Sequence, residues 1–159
     1  MDRTGTEHFD DAFDRLFRVA YRAAFRILAS REDAEDVAIE ALARASARWE
    51  RLGPEPDPWV TRVAVNLALD LWRRRGRAAR HDRAERHAAP PPPGPPDAAR
   101  VDLVRAMERL PRRQRQTVAL RYLGDLTEEQ TAEALGVSVG SVKQHTARAM
   151  ARLRRDLGE

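Results

Sequence analysis

Residues 88–100 read Ala-Ala-Pro-Pro-Pro-Pro-Gly-Pro-Pro-Asp-Ala-Ala-Arg and hold six of the ten prolines in a chain of 159 residues. Proline fixes φ and lacks the amide hydrogen, so this stretch is neither helix interior nor central strand. It predicts a semi-rigid, extended tether rising roughly 3.1 Å per residue. With the arginine-rich residues that precede it, the tether is expected over 78–100. It divides the chain into a front unit, 1–77, and a back unit, 101–159, and is expected to hold them apart.

Both units read as helical. Aromatic residues are only 6% of the chain, and the apolar mass is alanine, leucine and valine, which favours helix over strand. In the front unit Phe9, Phe13, Leu16, Phe17, Ala20, Ala24, Ile27 and Leu28 recur in steps of three and four and predict a first helix. Ser30 can cap a second helix, with Asp33 in its first turn and Val37, Leu42 and Ala45 inward, running to about Trp49. The breaker Gly53-Pro54-Glu55-Pro56-Asp57-Pro58 ends it. Asp57 before Pro58 is a start signal for a third helix with Trp59, Val60, Val63, Leu67 and Leu71 inward. In the back unit a short helix is expected from Val101 to Arg109, and a second from Pro111 to about Tyr122. A third starts at the capping-box spacing Thr127 to Gln130, and a last one follows Ser138 and ends near Asp156. The fold class predicted is all-α: two small helical domains joined by a Pro-rich linker. No further domain is expected after the last helix.

Charge is unevenly placed. Residues 1–57 carry 9 arginines against 13 acids, residues 58–88 carry 8 against 3, and residues 101–159 carry 11 basic residues against 8 acids. An acidic front followed by basic blocks suggests a protein surface as one partner and nucleic acid as another. The chain has no cysteine, which removes disulfides, thiolate zinc sites and thiol switches within it. None of its four histidines pairs with another at ligand spacing, and no phosphate loop or nucleophile–base pair is visible, so neither cofactor, metal nor catalysis is expected. No leader and no run of 18 apolar residues is present; a cytoplasmic protein with no membrane partner is the expectation.

The most specific local pattern is Ala132, Gly136 and Val142, at the spacing of a helix-turn-helix. Alanine lets two helices cross closely, glycine accepts a left-handed turn, and valine fills the shared core. Val142, Thr146, Ala149 and Leu153 then point inward. Ser141, Lys143, Gln144, His145, Arg148 and Arg152 form an outward face without an acid, suited to base edges and phosphates. A second candidate face is Asn66, Asp70, Arg73 and Arg77, with Arg74, Arg75, Arg80, Arg83 and Arg86 extending its positive field. The plainer alternative is a solvated basic run complementing a helix C-terminus.

These residues carry a resemblance that covers most of the chain. Ser30-Arg31-Glu32-Asp33-Ala34-Glu35-Asp36-Val37 resembles the Asp-Ala-Glu-Asp-Leu motif of sigma region 2, and Pro58-Trp59-Val60 through Arg73-Arg74-Arg75 is similar to the rest of that region. Leu110-Pro111-Arg112-Arg113-Gln114-Arg115, Leu120-Arg121-Tyr122-Leu123 and Gly136-Val137-Ser138-Val139-Gly140-Ser141-Val142-Lys143 resemble region 4. Both blocks in this order, split by a linker, are similar to bacterial RNA polymerase sigma factors of the extracytoplasmic-function (ECF) group.

The resemblance implies roles residue by residue. Asp33, Glu35, Asp36, Val37 and Glu40 would dock on the clamp of the largest subunit of core RNA polymerase. Ile39 stands where the family usually has glutamine, so either it turns inward or the docking contact is modified. Asn66, Asp70, Arg73, Arg74 and Arg77, with the loop before Pro58, would read the −10 element as melted, single-stranded DNA. Trp59 and Trp72 are candidate stacking platforms, though the spacing of Trp59 suits the core. Ser141, Lys143, Gln144, His145, Arg148 and Arg152 would hold the −35 duplex, and two weak sites on one tether reinforce each other. Many members are held by an anti-sigma factor, and nothing in the sequence marks that surface. The competing reading is a stand-alone helix-turn-helix regulator whose front helices dimerise.

Overall fold

The computed structural model describes residues 8–86 and 98–158, with the backbone alone for 82–86. These residues form seven α-helices in order: α1 (Phe9–Leu28), α2 (Arg31–Ser46), α3 (Asp57–Arg86), α4 (Ala98–Glu108), α5 (Arg112–Val118), α6 (Glu128–Leu135) and α7 (Val139–Leu157). Among the described residues there is no strand. The all-α expectation is met.

In the front unit α1, α2 and α3 pack on one another. The buried residues are mostly small: Ala12, Ala20, Ala24, Ala34, Ala38, Ala41, Ala45, Ala64 and Ala68, around Leu16, Ile27, Leu42, Val60 and Val65. Alanine at the seams lets helix axes approach to the short end of the usual 8–10 Å. Ser30 caps α2 by accepting from the Asp33 amide at 3.3 Å. The helix α3 begins at Asp57, one residue before the expected proline, and the Val60 amide donates to the Pro56 carbonyl at 3.0 Å.

Burial on α1 and α3 follows the helical spacing, and the start of the tether is corrected. Phe13 is 39% exposed. Phe9, Phe13, Phe17, Tyr21 and Phe25 recur every four residues, which advances the stripe by about 40° per step around the helix. Phe25, at the far end, is 38% exposed. On α3 the buried positions are Val60, Val63, Ala64, Val65, Ala68 and Leu69, and Trp59, Leu67 and Leu71 pack inward against them, partly covered, as their spacing predicts. The expected tether does not start at 78: α3 continues to Arg86 and α4 already begins at Ala98. Ala78, Ala79 and the arginines around them are good helix formers, and no proline interrupts before Pro90. The prolines themselves lie outside the described residues.

The two units are not held apart. Helix α6 packs on α3, and the turn Ala119–Leu123 after α5 packs on α1 and α3. Leu120, Leu126 and Leu135 belong to the same buried cluster as Leu16, Val60 and Ala64. That turn is a π-helical one, with the Gly124 amide donating to the Ala119 carbonyl at 2.9 Å. It brings Gly124 so close to α3 that a Cβ there would stand 2.6 Å from Thr61 Cγ2.

Candidate nucleic-acid interface

Local capping sets the geometry of the last two helices. The Thr127 hydroxyl accepts from the Gln130 amide at 3.1 Å, and the Gln130 side chain accepts from the Thr127 amide at 3.0 Å. This reciprocal pair fixes where α6 starts. Gly136 ends it at φ +63°, and the Val137 amide donates to the Ala132 carbonyl at 3.0 Å. Ser138 then caps α7 by accepting from the Ser141 amide at 3.1 Å. With both ends fixed, Val142, Ala149 and Leu153 are buried and Ala132 sits beneath them. Lys143, Gln144, Arg148 and Arg152 point to solvent, while Ser141, His145 and Thr146 are half-buried.

This face is not free of acids in space. The Lys143 ammonium lies 3.6 Å from Glu128, which comes from the first turn of α6. Sequence distance hides this, because the turn brings residues fifteen apart onto one surface. Glu128 sits where the helix N-terminus favours an anion.

The acidic residues of α2 divide into an outer and an inner set. Glu35, Asp36 and Glu40 are exposed, and Glu40 holds Arg44 at 2.7 Å. Val37 is 6% exposed and faces the core, so it supports this surface from beneath. Ile39 turns outward and is 57% exposed, which settles its orientation. Asp33 is half-buried and takes a paired hydrogen bond from the Arg75 guanidinium of α3. Arg75 and the Ser30 hydroxyl hold the Asp33 carboxyl below the usual carboxylate range, and Arg75 is raised in turn.

On α3, Asp70, Arg74 and Arg77 are exposed, and Asn66 and Arg73 are half-buried. Arg73 contacts Asp70 at 3.7 Å and, across the seam between the units, Glu108 at 4.0 Å. Arg115 lies beside them; burial, and then the positive charge of Arg73, lower its pKa. Trp59 packs against the core, as its spacing suggested; Trp72 is also partly covered and carries the Arg100 guanidinium 5.8 Å from its ring centre. Lys143 keeps 65% of its side chain in solvent, so it is not buried against Asn66.

The sequence does not single out Arg26, Thr61, Arg100 or Gly124, which join the two units. Arg26 donates to the Leu123 carbonyl at 3.0 Å and to the Asp125 carboxylate; Arg100 donates to the Ile27 carbonyl at 2.7 Å. Among the described residues no cluster of three potential metal ligands occurs, and no helix is long and apolar enough to cross a membrane.

Comparison with known proteins agrees with this arrangement. Residues 12–78 match the sigma-70 region 2 family, and residues 100–153 match sigma-70, region 4. The chain is 35% identical over 148 residues to the RNA polymerase sigma-E factor of Streptomyces coelicolor, covering 86% of this chain and 78% of that one. It is 36% identical over 161 residues to the ECF RNA polymerase sigma factor SigM of Mycobacterium tuberculosis, covering 92% and 78% respectively. Its fold is similar to that of CnrH, solved with the cytosolic domain of CnrY, at TM-score 0.65, 24% identity and 94% and 87% coverage. It is also similar to the sigma factor RpoE of Bartonella quintana, solved with the anti-sigma factor NepR, at TM-score 0.59, 21% identity and 94% and 96% coverage. With regions 2 and 4 both present and in order, the chain belongs to the sigma-70 family as an ECF-type, promoter-recognising RNA polymerase sigma factor.

Proposed function

We propose that the front unit, 1–77, docks on core polymerase and reads the −10 element, while the back unit, 101–159, grips the −35 duplex. The observation that carries this reading is the capped helix pair α6–α7. It buries Val142, Ala149 and Leu153 and turns Lys143, Gln144, Arg148 and Arg152 outward. A helix so presented fits the major groove, where guanidinium and amide groups can make paired hydrogen bonds to base edges. Ser141, beside the helix N-terminus, and the half-buried His145 complete that face.

The α2 surface of Asp33, Glu35, Asp36 and Glu40, with Val37 beneath, is the docking site for the clamp of the polymerase largest subunit. Asn66, Asp70, Arg73, Arg74 and Arg77 contact the unpaired −10 strand, the arginines supplying a positive track for its phosphates. The chain acts in the cytoplasm as an initiation factor without chemistry of its own. An anti-sigma factor is a further partner, supported by the RpoE–NepR likeness in fold.

Transcription in vitro with purified core polymerase over a randomised promoter library tests the reading. The expected result is initiation from templates sharing two short motifs at a fixed separation. A chain that binds duplex DNA alone as a dimer and starts no transcript with core polymerase would instead be a stand-alone regulator.

A further inference from the structure

We infer that Glu128 is a positioning residue for −35 recognition: it steers the Lys143 ammonium toward a guanine in the major groove, in preference to the phosphates. This rests on the assignment of the −35 duplex to the α7 face. The two side chains come from different helices, Glu128 from the first position of α6 and Lys143 from the second turn of α7. Both roots are fixed. The reciprocal Thr127–Gln130 cap sets the start of α6, Ser138 sets that of α7, and the helices pack on each other with Ala132 and Val142 buried. Across that joint Lys143 Nζ stands 3.6 Å from Glu128 Oε2. Glu129, the next acid, is turned back on the helix end. Its own amide and Thr127, with the positive charges of Lys143 and Arg121, hold its carboxyl below the usual range.

A separation of 3.6 Å is longer than a hydrogen bond. Glu128 therefore acts on the ammonium by charge, and all three N–H donors stay available to another acceptor. Lys143 is the one lysine among the 29 basic residues of the chain. An ammonium is a mobile point charge on a four-carbon stem, without the planar fork that orients a guanidinium, so a neighbouring charge has to place it. A fixed carboxylate does this in two ways. It restricts the stem before DNA arrives, so less side-chain freedom is lost on docking. It also repels the charged phosphate oxygens, and acts far less on the neutral O6 and N7 of guanine, the acceptors that lysine meets in the major groove. Among the described residues neither Arg148 nor Arg152 pairs with an acid, so neither carries that bias.

The test is transcription by the full chain assembled on core polymerase, from a selected promoter and from copies with each −35 base pair changed in turn. The parent is compared with Lys143→Ala, Glu128→Gln, the double variant, Glu129→Gln and Arg148→Ala, with the helicity of each checked by circular dichroism. At one position the parent is expected to prefer G·C over its replacements about tenfold, within the range that one mismatched pair costs. Lys143→Ala and Glu128→Gln should each reduce that preference to about twofold at the same position and leave the other positions at parental values. The double variant should lose no more than Lys143→Ala alone, because the two side chains act as one unit. Glu129→Gln removes the same charge from the same turn and should keep the parental profile. A Glu128→Gln profile equal to the parent's, or a loss spread evenly over all templates, would overturn the inference. The same relaxation in Glu129→Gln would overturn it too, by making the charge of the turn, and not the pair, responsible. Relaxation at an A·T pair would overturn the choice of guanine. If no variant, Arg148→Ala included, changes the profile at any −35 position, the −35 assignment itself falls; if Arg148→Ala changes it and Glu128→Gln does not, the inference falls alone.

Discussion

Three glycines of the back unit should respond to the same added methyl group in three different ways. Gly136 sits at φ +63°, and a Cβ built there meets nothing within 4 Å. The cost of Gly136→Ala is therefore all backbone, about 1–2 kcal/mol for an L-residue held in the left-handed region. Gly140 lies in the first turn of α7, and its Cβ would find only Ser138 Oγ at 3.8 Å, which is ordinary van der Waals spacing. Gly140→Ala reduces unfolded-chain entropy without strain and should stabilise by up to about 1 kcal/mol. Gly124 has φ −92°, which any residue adopts, but its Cβ would press Thr61 Cγ2 at 2.6 Å and the Leu120 carbonyl oxygen at 2.9 Å. Gly124→Ala must therefore move backbone or separate the units. Thermal melts followed by far-ultraviolet circular dichroism read all three, at about 2–4 °C per kcal/mol for a chain of this size. Gly136→Asn should melt above Gly136→Ala, since asparagine tolerates the left-handed conformation. A Gly136→Ala protein as stable as the parent, or a Gly140→Ala protein destabilised as much as Gly136→Ala, would refute the turn geometry on which the α7 face depends.

Lys143→Ala and Arg148→Ala should weaken −35 duplex binding at unchanged helicity. Each should flatten the log–log salt dependence by about 0.9 for every phosphate that the side chain neutralises, as read by fluorescence anisotropy over a salt series. A fall in helicity would place these side chains in the core instead. Asp36→Arg should reduce co-purification with core polymerase and leave −35 affinity intact; unchanged polymerase binding would remove α2 from the docking surface. Because Arg75 and Ser30 depress the folded Asp33 pKa, that residue's contribution is present above its unfolded pKa and fades as pH falls through the folded one. Asp33→Ala should cost about 1 kcal/mol or less at neutral pH, and progressively less below about pH 4. A cost that does not change with pH would refute the ion pair as its source.

What the sequence revealed was what neighbours along the chain decide. Ser30, Thr127 with Gln130, Gly136 and Ser138 each act within four residues of themselves, so the caps and the helix-turn-helix could be read directly. The end of α3 was less legible because the prolines, visible from far off, suggested a break that a run of alanine and arginine does not require. The π turn at Ala119–Leu123 left no local signature; it is held by a bond over five residues and by the Leu126 amide reaching the Leu120 carbonyl. Packing of one unit on the other escaped altogether. It depends on Arg26, Thr61, Arg100 and Gly124, whose partners lie 97, 63, 73 and 63 residues away. The outward turn of Ile39 is a matter of helix phase, and the alternation of acids with small residues around it left that phase open.

The uneven charge now has a physical account. A chain that must approach a polyanion gains nothing from an acidic front unless that charge is kept away from the DNA. Glu35, Asp36 and Glu40 stand exposed on α2, while Arg74 and Arg77 stand exposed far along α3, with the Asp33–Arg75 pair where the two helices meet. A helix with its side chains is about 10–12 Å across, and the Debye length at physiological salt is about 8 Å. Outward-facing charges that stand a helix diameter or more apart are thus largely screened from one another, and each field acts on what lies directly before it. Docking of α2 on a protein partner would also cover the acids before DNA arrives and so remove the nearest repulsion. That order would let an acidic docking face and a basic reading face share one small three-helix unit.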